Sequence, residues 1–359
     1  MLKLMVIGIF AAIALYYVPQ RKLMRLYTVI ALAIGYVGFT FIPGPRNDLW
    51  NHFSVVKAYE NLTWAQVLER EHYKAYPVAK AYFYGIAKIF HNEHFLPAIT
   101  VFLAAILFSV TLRKCAKRFE LPKRYEVTAY VYFLCAFNFF YLASNIRNHL
   151  AVAIFVFFLY MDMVEKKHRI LCFAAYIATI YIHSSMVVFI ILRLVLLIKN
   201  RRLLFFTLFL TMFYTLFQDK IFEVLHNFIK LDILDTIEDK ANEYASKDYS
   251  VWIVLLRGSL TIAGQLLVIH SCWGYMHNNN KSMIQYLHYT AAFTVFNAVS
   301  ITNYWLFMRM SISSALLFPI VLAAGYGELA KASAAKQAFV YSTFAMNIVY
   351  LFLFQYSHM

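Results

Sequence analysis

Charge is sparse in this chain, and negative charge is the sparser kind. Only 14% of the 359 residues are charged, with 18 Asp and Glu against 33 Lys and Arg. That leaves no room for a soluble domain of useful size, and the longest polar stretches are Pro43–Tyr76 and Gln218–Ser250. Cysteine is also scarce. Cys115, Cys135, Cys172 and Cys272 show no CxxC spacing and fall within or near apolar runs, so neither disulfides nor a metal site is expected. The chain has no D-x-D, P-loop, G-x-S-x-G or H-E-x-x-H. These absences argue against a metal-bound nucleotide-sugar site, ATP-driven transport, serine hydrolysis and zinc proteolysis. Internal repeats and low-complexity segments are missing too.

What is abundant is apolar: 62% of residues are hydrophobic and 18% aromatic. Apolar runs of about 15–20 residues recur from end to end, the pattern of an all-α polytopic membrane protein forming a single transmembrane domain over residues 1–359. The net charge of +15 would suggest nucleic acid in a soluble protein. Here the excess lies in short connections between runs, so it reads as a topology signal and contact with anionic lipid heads; no nucleic-acid partner is expected.

Spans are expected at Leu4–Val18, Met24–Ile42, Phe95–Leu112, Val127–Leu142, Leu150–Val164 and Arg169–Ile182. Further spans are expected at Met186–Ile198, Leu203–Phe217, Val251–His270, Tyr286–Ile301, Met310–Ala324 and Phe339–Phe354. The first lacks a small-residue cleavage site and reads as a span rather than a signal peptide. This makes about 12 crossings, with both termini and the stretches near 43–76 and 218–250 outside. Residues 76–90 are short and carry Lys80 and Lys88. Were they to cross, Arg113, Lys114, Lys117, Arg118, Lys123 and Arg124 would all fall outside, so the segment reads as re-entrant or interfacial.

With that topology, Arg46, Asp48, Asn145, Arg147, His183, Tyr304 and Arg309 lie at or near extracytoplasmic span ends. Arg257 sits about two turns inside its span, roughly 10 Å deep. Each has a plain alternative. Arg147 and Arg309 can snorkel to head groups; Asp48 can cap the helix starting near Leu49; His183 can be a solvated turn residue; Arg257 can pair with an unrelated carboxylate. Arg193 is expected to snorkel from the cytoplasmic half of its span. Taken together, several arginines, a histidine and a carboxylate on one face suit a diphosphate leaving group and an attacking sugar hydroxyl.

Two motifs stand out: Asn145-Ile146-Arg147-Asn148-His149-Leu150-Ala151, and Ile182-His183-Ser184-Ser185 about 35 residues later. In these the chain resembles the EpsG-like group of Wzy-type polysaccharide polymerases, whose arginine segment commonly reads Ile-Arg-Gln followed by Leu-Ala. Asn148 stands where glutamine is usual. Asp48 after the second span and Arg309 ahead of a late one fit the group's layout. The resemblance implies a GT-C-like glycosyltransferase of the bacterial cytoplasmic membrane that uses no cofactor. Its substrates would be oligosaccharides linked to undecaprenyl diphosphate, and its partners a chain-length regulator and a flippase. Arg147 and Arg309, with Arg257, would bind the diphosphate. His183 or Asp48 would activate the acceptor hydroxyl, and Arg46, Asn145, Asn148 and Tyr304 would contact glycan. Two other readings stay open: a transporter or flippase for lipid-linked oligosaccharide, and a membrane acyltransferase modifying glycans.

Overall fold

The computed structural model describes residues 2–44, 47–136, 145–198, 209, 252–279, 281–302 and 304–353. It is 84% helical, with no strand among the described residues. Five helical stretches are long and apolar enough to cross a membrane: Gln20–Phe39, Phe95–Arg118, Ile146–Glu165, Leu255–Asn278 and Leu306–Lys331. The chain is therefore a helical membrane protein. Within the described residues each expected span falls largely on a helix; Leu203–Phe217 apart from residue 209, the loop 218–250 and Arg46 lie outside them.

The bundle begins with α1 (Leu2–Tyr17) and α2 (Leu23–Phe39). A cap follows, made of α3 (Asp48–Tyr59), α4 (Trp64–Glu69) and α5 (Pro77–Phe90). The chain then re-enters the bundle through α6 (Phe95–Arg118), α7 (Lys123–Ala136) and α8 (Ile146–Tyr160), the last running on as a π-helical turn, Met161–Glu165. A short hairpin, α9 (Arg169–Ile180) and α10 (Met186–Val195), comes next. The rest is α11 (Trp252–Asn279), α12 (Ile284–Val299), α13 (Tyr304–Lys331) and α14 (Ala334–Leu353). At the centre stands α13, whose membrane-length window is 83% buried; it packs on α6, α7, α8, α11, α12 and α14.

Without a hydrophobic force between helices in lipid, close approach has to come from small residues. Helices α2 and α6 form one such seam. A Cβ at Gly38 would lie 3.1 Å from the Pro97 carbonyl oxygen, and one at Gly35 would lie 3.2 Å from that of Ala98.

The basic connections gather at one end of the bundle. Lys123 Nζ donates to Tyr16 O at 2.6 Å, Gln20 to Leu121 O at 2.9 Å, and Lys114 pairs with Glu165 at 3.0 Å. The cap lies at the other end, built around its own apolar cluster of Leu49, Phe53, Val56, Tyr59, Val67, Phe83, Ile86 and Ala87. Leu96 of α6 and Ile146 of α8 join that cluster and seat the cap on the bundle.

Helix α5 is the segment read from sequence as re-entrant or interfacial. Its lysines have a local use: Lys80 Nζ donates to the carbonyls of Leu68 and Arg70 at 3.2 and 2.5 Å, and Lys88 Nζ to that of Glu60 at 2.7 Å. Two cations thus satisfy the carbonyl ends of α4 and α3, where the helix dipole is negative. At 14 residues, α5 is about 21 Å long, short of a bilayer core of about 30 Å.

The hairpin helices have 12 and 10 residues, about 18 and 15 Å, against a bilayer core of about 30 Å. Two readings need correction. Arg193 does not snorkel; it is buried in α10, donating from Nε to Asp162 Oδ2 at 2.7 Å, with Nη2 at 2.6 Å. Asp48 does not cap α3, because Asn47 Oδ1 accepts from the Leu49 N–H at 2.9 Å and Asp48 is the first helical residue.

Candidate functional site

Where the cap meets the bundle there is a cavity of about 290 Å³. Asp48, Asn145, Arg147, Asn148, His183 and Arg309 line it, together with Asn51, His52, His72, Tyr73, Tyr76 and Ser184. Five chain segments thus bring their polar residues to one space. Asp48 and His52 are placed by the first turns of α3, His72, Tyr73 and Tyr76 by the stretch leading into α5, Arg147 and Asn148 by the first turn of α8, His183 by the tip between α9 and α10, and Arg309 by the second turn of α13.

Arg147 is held by rings rather than by a carboxylate. Its guanidinium carbon sits 4.6 Å from the Tyr73 ring centroid and 4.9 Å from that of Tyr76. Its Nε and Nη1 are buried with no hydrogen-bond partner. Two oriented donors at the positive end of a 15-residue helix make a ready site for an anion.

His183 belongs to a chain of hydrogen bonds. Its Nδ1 lies 2.9 Å from the Ser185 hydroxyl, which donates to Asn148 Oδ1 at 2.7 Å. Its Nε2 faces Arg309 Nη1 at 3.3 Å. A guanidinium has only donors, so the ring nitrogen facing it accepts, and the ring proton sits on Nδ1 and goes to the Ser185 oxygen. The Ser185 N–H, 3.2 Å from Nδ1, is then a close approach rather than a bond. Asn148, Ser185, His183 and Arg309 thus join α8, the hairpin and α13 in one polar line.

Within the cavity wall, the Tyr73 hydroxyl and His52 Nδ1 share a hydrogen bond. Burial, reinforced by the Arg147 charge and then by His72, pulls the His52 imidazole down from 6.5 to about 3, so it stays neutral. His72 is lowered too, by burial first and then by Arg147 and Lys80. Burial raises the Tyr73 phenol, against the pull of Arg147. His52 and His72 therefore add no positive charge to the wall at neutral pH.

The remaining sequence candidates lie elsewhere. Arg257 lines a separate small pocket with Thr261, Phe307, Ser311, Ser314 and Asn347, and its Nε donates to Asn347 Oδ1 at 2.9 Å. It does not line the larger cavity. Tyr304 is the first residue of α13 and nothing is described of its side chain; Arg46 falls outside the described residues.

Sequence reasoning missed His52, His72, Tyr73 and Tyr76. One signal was present for His52, which follows Asp48 by four residues and so shares its helix face. The tyrosines had only their enrichment in a polar stretch. No family model matches this chain, and no curated protein or solved structure matches it either.

Proposed function

We propose that the chain is a membrane polysaccharide polymerase of the Wzy type, working at the extracytoplasmic face of a bacterial cytoplasmic membrane. It transfers a growing glycan from undecaprenyl diphosphate onto the terminal sugar of a lipid-linked repeat unit, giving O-antigen, capsule or exopolysaccharide. The observation that carries this reading is the meeting of Arg147, Arg309, His183 and Asp48 in one cavity, with two buried Arg147 donors lacking a hydrogen-bond partner.

In the reaction, the acceptor hydroxyl loses its proton to His183 or to the Asp48 carboxylate as its oxygen attacks the anomeric carbon. The bond from that carbon to the diphosphate oxygen breaks, and the electron pair leaves with undecaprenyl diphosphate. Arg147 binds the diphosphate and stabilises the charge that grows on it. Arg309, hydrogen-bonded to His183, adds a second positive charge beside the reacting groups. Asn145 and Asn148 offer amides to glycan hydroxyls. The twelve-span, GT-C-like architecture belongs to this proposal, as do a chain-length regulator and a flippase as partners.

The test is a purified protein given a synthetic undecaprenyl-diphosphate repeat unit, built from the source strain's own polysaccharide, with no nucleotide sugar and no ATP. A ladder of products that vanishes in the Arg147→Ala protein, with the variant still in the membrane, is expected. Normal ladders from Arg147→Ala would overturn the site assignment. No ladder, with the lipid-linked unit instead moved across a reconstituted bilayer, would make the chain a transporter.

A further inference from the structure

An arginine that must present two donors to a diphosphate needs something to fix its plane. Ion-pair partners usually do this, but a carboxylate against Arg147 would compete with the ligand. The cavity wall has another arrangement. Tyr73 and Tyr76 put their rings against the guanidinium, and Tyr73 is tied by its hydroxyl to His52 Nδ1. Phe83 of α5 braces both members of that tie, with ring centroids 5.3 Å from His52 and 5.3 Å from Tyr73. The backbone at Tyr73 has φ of 60°, a left-handed conformation that a bulky residue seldom adopts. The chain holds that conformation at the residue whose ring faces Arg147.

We propose that Tyr73, Tyr76 and His52 are positioning residues that orient Arg147 for a diphosphate, the tyrosines by stacking on the guanidinium and His52 by locking Tyr73. This rests on the reading of Arg147 as the anion-binding group. Rings can do this work without neutralising the arginine, because cation–π attraction leaves the edge of the guanidinium, with its N–H groups, open. Tyr76 supplies the second ring from the N-terminus of α5, so the plane of Arg147 is set by the cap rather than by its own helix.

The experiment measures binding of inorganic diphosphate to the purified full chain by calorimetry, beside the ladder assay. Tyr73→Leu and Tyr76→Leu should each weaken diphosphate binding about tenfold, the loss of one desolvated cation–π contact. Tyr73→Phe keeps the ring and should weaken it about two- to threefold. In an Arg147→Lys background, which lacks the planar face, Tyr73→Leu should change binding less than about twofold. A tenfold loss that persists in that background would mean that the tyrosine touches the ligand itself, and would overturn the inference. So would unchanged binding in both leucine variants while Arg147→Gln loses it, an outcome that leaves the polymerase reading standing. Unchanged binding in Arg147→Gln would instead remove the reading on which the inference rests. Thermal melting in detergent checks that each variant is folded, and Tyr76→Leu, which leaves the His52 tie intact, carries the test if Tyr73→Leu does not fold.

Discussion

Replacing Asp162 by leucine should do more damage than its distance from the cavity suggests. Asp162 lies in the π-helical turn that ends α8, and its side chain is 1% exposed. Its Oδ2 accepts from Arg193 Nε at 2.7 Å and from the Tyr176 hydroxyl at 3.2 Å. Arg193 Nη2 stands 2.6 Å away, with a side-chain exposure of 7%. Removing one partner of such a pair leaves a buried, uncompensated charge, at a cost of roughly 3–5 kcal/mol. The lost tyrosine bond adds about 1 kcal/mol. For a chain of this size, that should lower the melting midpoint in detergent by about 5–10 °C. Arg193→Leu should cost a similar amount from the other side. The double variant, Asp162→Leu with Arg193→Leu, should return to within about 1 kcal/mol of the parent, since apolar pairs replace buried ion pairs at little cost. The pair links the far end of the helix that carries Arg147 to the hairpin that carries His183, so the proposed polymer synthesis should fall in each single variant and recover in the double. Melting losses that simply add, with no recovery in the double variant, would refute this reasoning.

Other outcomes follow from the same geometry. Ser185→Ala removes the bridge between His183 and Asn148; the proposed polymerisation should fall about tenfold with little change in donor KM, as read from initial rates. Arg257→Gln, away from the main cavity, should leave diphosphate binding unchanged, and a hundredfold loss in calorimetry would bring Arg257 back into the site. Acid should destabilise the protein through His52. The unfolded chain takes up a proton near pH 6.5 and the folded one only near 3, so this group leaves stability level above pH 6.5. Between those values each unit of acidification removes up to about 1.4 kcal/mol. His72 acts with the same sign. In His52→Gln, the melting midpoint measured against pH should lose part of that acid slope.

Much of this was open to sequence reasoning, and the parts that were not share a cause. The helices were legible because apolar runs bounded by basic clusters mark them locally, as at Phe95–Arg118. Asp48, Arg147, His183 and Arg309 could be sorted to one face because topology orders helix ends even when contacts are unknown. What stayed hidden depends on pairing across distance. Asp162 sits inside an apolar run, and its partner comes 31 residues later on a different helix. Tyr73 and Tyr76 lie in a turn without periodicity, so nothing local tells which cation they face. Lys80 and Lys88 argued against a crossing, and the structure adds the helix ends they serve. The cap at Asn47 rather than Asp48 is a shift of one residue, within the usual error of reading a helix start.

The cap's separate apolar cluster has a consequence for how such a protein diversifies. Residues 47–94 pack chiefly on themselves and are seated on the bundle through Leu96 and Ile146, with one backbone bond from the Ala79 N–H to Tyr181 O. The bundle supplies Arg147, His183 and Arg309, and the cap supplies the wall with Asp48, His52, Tyr73 and Tyr76. A segment built this way can change its own packing, and with it the wall it gives the cavity, while the membrane helices, under the stricter demands of lipid packing, stay as they are.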